Sequence, residues 1–131
     1  MNPNDLLYTE THEWARVEDT ADGKLATVGI TAFAVELLTD LVHIDLPSAG
    51  TAVEAGQPFG EVESVKSVSD LNSPVDGEVV EVHDAIADHL ETLSSDPFGE
   101  GWLIKVKLAE GVGLDKLMDR AAYEAQIREH E

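Results

Sequence analysis

The chain has no cysteine, and this removes disulfides, thiolate chemistry and cysteine-based zinc sites together. It is also short of positive charge, with 8 Lys and Arg against 27 Asp and Glu and a formal net charge of −19. An acidic excess of that size argues against nucleic acid and anionic membrane surfaces as partners, and makes basic protein faces the natural ones. It also helps to keep a small protein soluble and monomeric. No apolar run approaches the roughly 20 residues of a membrane span, and the start Met1-Asn2-Pro3-Asn4-Asp5 has neither a basic leader nor an Arg-rich transit composition. A cytoplasmic location is expected. Repeats and low-complexity linkers are missing as well. The five histidines are scattered, and the spacing of His83 and His89 fits no known zinc pattern. Ser94, Ser95 and Asp96 have no nucleophile elbow around them. No catalytic apparatus emerges.

What is present is a series of short alternating segments with Gly and Pro between them, followed by a helical tail. Leu25–Ile30, Leu41–Leu46, Phe59–Val65, Glu78–Val82 and the segment from Trp102 read as strands. Thr31 is placed to cap a short helix ending at Leu38, Glu54–Pro58 and Asp76-Gly77 read as turns, and Gly111–Gly113 as a flexible joint. Leu114, Leu117, Met118, Tyr123 and Ile127 recur at helical spacing, with Asp119 as a capping residue. The expected fold is mainly β, a flattened barrel or sandwich of short antiparallel strands with short helices. The 131 residues fit one domain, residues 1–131, with a lysine hairpin at about 59–82 and a helical tail at about 114–130.

Lys66 stands alone in Gly60-Glu61-Val62-Glu63-Ser64-Val65-Lys66-Ser67-Val68-Ser69-Asp70, among small, β-branched and acidic residues. Two strands meeting here would lift one primary amine out of the fold at a tight turn. A Schiff-base lysine must shed its proton, which Glu61, Glu63 and Asp70 oppose. A surface lysine paired with a carboxylate is the plain alternative. A lysine acylated by a modifying enzyme needs exposure, a protruding turn and a recognisable flank, and the segment offers the flank and the turn.

This segment, continued by Asn72-Ser73-Pro74-Val75-Asp76-Gly77-Glu78-Val79, resembles the lipoyl-lysine hairpin of the glycine cleavage system H protein family. His12-Glu13-Trp14, Val28-Gly29-Ile30-Thr31, Leu46-Pro47 with Gly50, and Asp96-Pro97-Phe98-Gly99-Glu100-Gly101-Trp102-Leu103-Ile104-Lys105 resemble other segments of that family in order. The resemblance implies a lipoyl-type fold and a non-catalytic carrier with lipoate joined covalently to Lys66. It implies a cycle in which a pyridoxal-phosphate glycine decarboxylase loads an aminomethyl group, a tetrahydrofolate-dependent aminomethyltransferase removes it, and dihydrolipoyl dehydrogenase reoxidises the arm. A lipoylating enzyme is the fourth partner. Glu13 and Asp70 would contact the loaded, cationic arm, and Glu63 would be read by the lipoylating enzyme. The alternatives are that Glu13 pairs with a surface base, Asp70 caps the turn and Glu63 is a solvated strand residue.

A lipoyl relay or H-like paralogue donating lipoyl groups to other proteins would share these motifs. A biotin carrier favours Met on both sides of its lysine, where this chain has Val65 and Ser67, and an acidic adaptor leaves the lysine segment unexplained. One stretch departs from the family pattern: Ala87-Asp88-His89-Leu90-Glu91-Thr92-Leu93 stands where many members have an Asn/Pro-containing loop, in a region expected to border the arm's resting groove.

Overall fold

The computed structural model describes residues 6–21, 23–38, 40–109 and 117–129, with residues 128 and 129 described without their side chains. In chain order the elements are β1 (Leu7–Tyr8), β2 (Glu13–Thr20), β3 (Gly23–Ile30), α1 (Ala32–Leu38), β4 (Leu41–Asp45), β5 (Ala52–Val53), β6 (Pro58–Ser64), β7 (Val68–Asn72) and β8 (Gly77–Val82). A 3₁₀ turn at Asp84–Asp88, α2 (Glu91–Ser95), β9 (Ile104–Leu108) and α3 (Arg120–Glu129) complete them. Two antiparallel sheets result, one of six strands in the order β1-β2-β3-β9-β8-β5 and one of three in the order β4-β6-β7. The mainly β expectation holds, and the sheets form a sandwich rather than a closed barrel.

The pattern of apolar residues explains the layering. Ile104, Val106 and Leu108 alternate along β9 with half-buried Lys105 and exposed Lys107, so one face of that strand is apolar and enters the core. Val28, Ile30 and Val79 from the large sheet join Ile44, Phe59, Val62 and Leu71 from the small one in one buried cluster, with Ile86 and Leu93 packed in from the 3₁₀ turn and α2. Thr31 caps α1 as expected, its Oγ1 accepting from the Ala34 amide at 3.2 Å. A second, smaller cluster of Leu6, Tyr8, Trp14 and Tyr123 lies under α3. Trp14 lies opposite Gly29 in the β2–β3 register, and a Cβ on Gly29 would come within 2.5 Å of the Trp14 ring.

Two boundaries differ from the sequence reading. The tail is not helical at Leu117. Met118 is extended and exchanges two backbone hydrogen bonds with Tyr8, at 2.7 and 2.8 Å, and α3 begins only at Arg120. The short edge strand β1 has backbone groups to satisfy, and the apolar spacing of Leu117 and Met118 serves an extended segment as well as a helix. Asp119 does cap α3, accepting from the Ala122 amide at 2.9 Å. Leu114 and Gly111–Gly113 lie outside the described residues. The hairpin itself is β6 and β7 only, because β8 crosses to the other sheet and pairs with β9 and β5.

Candidate functional site

Strand pairing brings Glu63 opposite Val68, and the three residues Val65, Lys66 and Ser67 follow the end of β6 as the turn. The Ser64 amide donates to the Ser67 carbonyl at 2.8 Å, closing it. The Ser64 hydroxyl, only 5 % exposed, lies under the tip and accepts from the Ser67 amide at 3.1 Å and, more weakly, from the Lys66 amide at 3.4 Å. The Val65 amide donates to the Asp40 carbonyl at 3.0 Å, which ties the turn to the segment after α1. Lys66 itself is exposed, and among the described residues no carboxylate comes within ion-pairing distance of its ammonium. The flanking Val65 and Val68 are 68 % and 55 % exposed. The apolar run toward the lysine therefore divides, with Val62 and Leu71 in the core and Val65 and Val68 at the surface.

Further along the same hairpin, Val62, Ser69, Asp70 and Leu71 form one wall of a groove of about 140 Å³. The facing wall comes from His12 and Glu13, Ile30, and Ala34, Leu37 and Leu38 of α1. Glu13 and Asp70 are thus brought to one groove although 57 residues separate them in sequence. Glu63 is exposed on β6, opposite Val68, and does not line the groove. Neither does the stretch from Ala87 to Leu93, which was expected to border it. His89 and Thr92 of that stretch line a separate open cavity of about 330 Å³ with His83, Asp96 and Glu100. There the His83 ring stacks on Trp102 at 4.4 Å, with its Nδ1 2.7 Å from the Trp102 carbonyl.

Glu13 is the unusual group, a carboxyl only 1 % exposed. The Thr9 hydroxyl donates to its Oε1 at 2.8 Å and the Thr11 hydroxyl donates to the same oxygen. The Thr9 hydroxyl also accepts from the Glu13 amide at 3.1 Å. Burial pushes the Glu13 carboxyl up to about 7, against the opposing hydrogen bonds from Thr11, from Thr9 and from the backbone of Asn72 and of Glu13 itself. Such a group is half ionised near neutrality and is drawn to the ionised form by a cation entering beside it. Sequence reading singled out Glu13 and Asp70 but not Thr9, Thr11 or Ser64. The spacing Thr9-x-Thr11-x-Glu13 was the available signal, and only the tightly turned backbone gives it meaning.

Exposed lysine at a stapled turn, and beside it a groove with apolar walls and acidic groups, suit a chain that presents a long acylated arm and gives its polar end a place to rest. The family model described as glycine cleavage H-protein matches residues 6–130. The chain is 53 % identical over 128 residues to a glycine cleavage system H protein of Rhodopirellula baltica, covering 98 % of this chain and 96 % of that one. It is 56 % identical over 108 residues to the protein of the same name from Rubrobacter xylanophilus, covering 82 % of each. A crystal structure of a glycine cleavage system H protein from Mycobacterium marinum superposes with a TM-score of 0.86 at 44 % identity, covering 97 % of this chain and 99 % of that one.

Proposed function

The chain belongs to the glycine cleavage H-protein family, the non-catalytic lipoyl carriers of the glycine cleavage system, and from that premise we propose that Lys66 is the residue that bears the lipoyl group. The observation that carries this is the exposed Lys66 side chain at the tip of a turn held from beneath by Ser64. An amide at Nζ would remove the charge without disturbing any ion pair among the described residues. When bound, the lipoyl group supplies a disulfide that can be opened and reclosed.

The chain's own residues do the rest of the work. From Lys66 to Asp70 the path along the strand is roughly 13 Å at about 3.3 Å per residue, a span suited to a lysine side chain lengthened by an acyl chain. The groove walls from Val62, Leu71, Ala34 and Leu38 take apolar chain atoms. Glu13 and Asp70 receive the cationic amine cargo at its end, Glu13 giving up its proton as the cation arrives and forming a charge-assisted hydrogen bond. Glu63, exposed beside the turn, is a contact for the lipoylating enzyme. The loading, unloading and reoxidising partners are glycine decarboxylase, the aminomethyltransferase and dihydrolipoyl dehydrogenase. They dock weakly through basic faces on this acidic surface, since tethering supplies the local concentration that tight binding would otherwise have to supply.

Intact mass and peptide mapping of protein from a lipoate-replete host test the assignment. One lipoyl group on the Lys66 peptide is expected, with complete loss in Lys66→Arg and an unchanged thermal midpoint, because the side chain is exposed and makes no ion pair among the described residues. An unmodified Lys66 in those cells, or a lipoyl group on another lysine, would refute it.

A further inference from the structure

The backbone of His12 has φ of 74°, the one left-handed non-glycine residue among those described, and it immediately precedes Glu13. Left-handed backbone is strained for a residue that bears a β-carbon, so something must hold it there. Its amide donates to the Thr9 carbonyl at 3.2 Å and its carbonyl accepts from the Thr31 amide at 2.9 Å. Its ring is gripped as well. Nδ1 lies 2.8 Å from the Tyr123 hydroxyl, and the ring packs against Phe33 at 4.9 Å.

Tyr123 comes from α3, more than 100 residues away, and is fully buried. Its hydroxyl is 2.6 Å from Thr31 Oγ1, and its ring stacks on Tyr8 at 4.6 Å with the planes 8° apart. Burial pushes the phenol up to about 12, so it stays neutral across the working range. With neutral His12 the bonds can run in either sense, and in both the phenol bridges Thr31 and His12. Either Thr31 Oγ1, which also accepts from Ala34, donates to the phenol oxygen and the phenol to His12 Nδ1, or His12 Nδ1–H donates to the phenol and the phenol to Thr31 Oγ1. The same helix reaches the loop a second time, where Gln126 Nε2 donates to the Glu10 carbonyl at 2.9 Å.

We propose that Tyr123 is a positioning residue for the arm's groove: anchored on Thr31, its hydroxyl fixes the His12 ring and thereby the left-handed turn that sets the Glu13 carboxyl against the hairpin. The C-terminal helix is then part of the groove's construction without lining it. This rests on Glu13 being the group that receives the amine. The ionisable groups around the carboxyl include His12 and Asp70, which line the groove with it, and Tyr123, whose phenol bonds His12 and feels the Glu13 charge.

Tyr123→Phe keeps the ring stacked on Tyr8 and removes only the hydroxyl. The unmodified protein, with ¹³C-labelled glutamate, is titrated by NMR. The Glu13 midpoint is expected to move down by about one pH unit as the loosened carboxyl meets water. Lipoylated protein loaded with the amine is followed in parallel, and release is expected to be roughly tenfold faster in the variant, the upper end of one hydrogen bond's worth. A lowered thermal midpoint with an unchanged Glu13 titration and unchanged release would overturn the inference and leave Tyr123 a packing residue. Glu13→Gln separates the two ideas. If that variant retains the amine as the wild type does, the reading of Glu13 fails, while the titration of Tyr123→Phe still decides whether the phenol positions the carboxyl.

Discussion

The turn that carries Lys66 and the turn that leads into Glu13 are built from the same local chemistry and end up opposite in character. In each, a hydroxyl accepts from a backbone amide a few residues on, Ser64 from Ser67 in one and Thr9 from Glu13 in the other. The first is open, with Val65, Lys66 and Val68 exposed to solvent. The second is covered by Phe33 of α1 and Tyr123 of α3, and its acid is buried. A short polar turn therefore does not decide whether a charged side chain is offered or enclosed. What packs above it does, and here the two outcomes lie on either side of one groove.

The largest way to break that contrast is to remove the charge from the enclosed turn. The folded protein binds the Glu13 proton more tightly than the unfolded chain does, since the carboxyl is raised from about 4.5 to about 7. The stabilisation this confers is complete below about pH 4.5 and is lost as pH rises through 7, because above that pH the folded state must hold a buried charge. At about 1.4 kcal/mol for each tenfold change in proton affinity, the loss approaches about 3 kcal/mol. Glu13→Gln, which cannot ionise, should match the wild type near pH 4 and be the more stable protein at pH 8, by an amount up to that figure. Denaturant unfolding of both proteins at the two pH values checks it, the comparison between them cancelling the repulsion among the other carboxylates. A variant less stable than wild type at pH 8 would mean that the charged form is the one the turn was built to hold.

A smaller effect is expected at the base of the lysine hairpin. A Cβ on Gly60 would collide with the backbone carbonyl oxygen of Asp45 on β4, an atom with no rotamer by which to move aside. Gly60→Ala should therefore cost about 2 kcal/mol through displacement of β6 from β4. Chemical unfolding measures this, and a cost near zero would show that the β6 irregularity between Pro58 and Gly60 can absorb a methyl group.

Much of this was legible in the chain, for reasons that separate local from distant causes. The alternation in β9, the Thr31 cap and the lysine turn are written within a few residues of where they act, and the sequence reading found them. Glu13 and Asp70 were singled out by family resemblance alone, since nothing near either in sequence says that they share a groove. Their meeting depends on the packing of the two sheets. The hydrogen-bonded link among His12, Tyr123 and Thr31 was beyond reach for the same reason, because it joins three segments that tertiary structure alone brings together. The helical spacing around Leu117 and Met118 was misleading because an edge strand needed a backbone partner, and that demand overrode the local periodicity.

The smallest expected effect lies in the open turn. Ser64→Ala removes the hydroxyl that accepts from Ser67 and Lys66, worth about 1 kcal/mol. The bond from the Ser64 amide to the Ser67 carbonyl and the bond from Val65 to Asp40 remain, so the hairpin should still close. The change should appear in amide hydrogen exchange as roughly fivefold faster exchange at Ser67, with Val62 and Leu71 unaltered because they report the buried core beneath. Unaltered exchange at Ser67 would mean that the backbone alone holds the turn. Faster exchange at all three would mean that opening the turn opens the hairpin, and the presented lysine would then be coupled to the groove wall through β7 rather than independent of it.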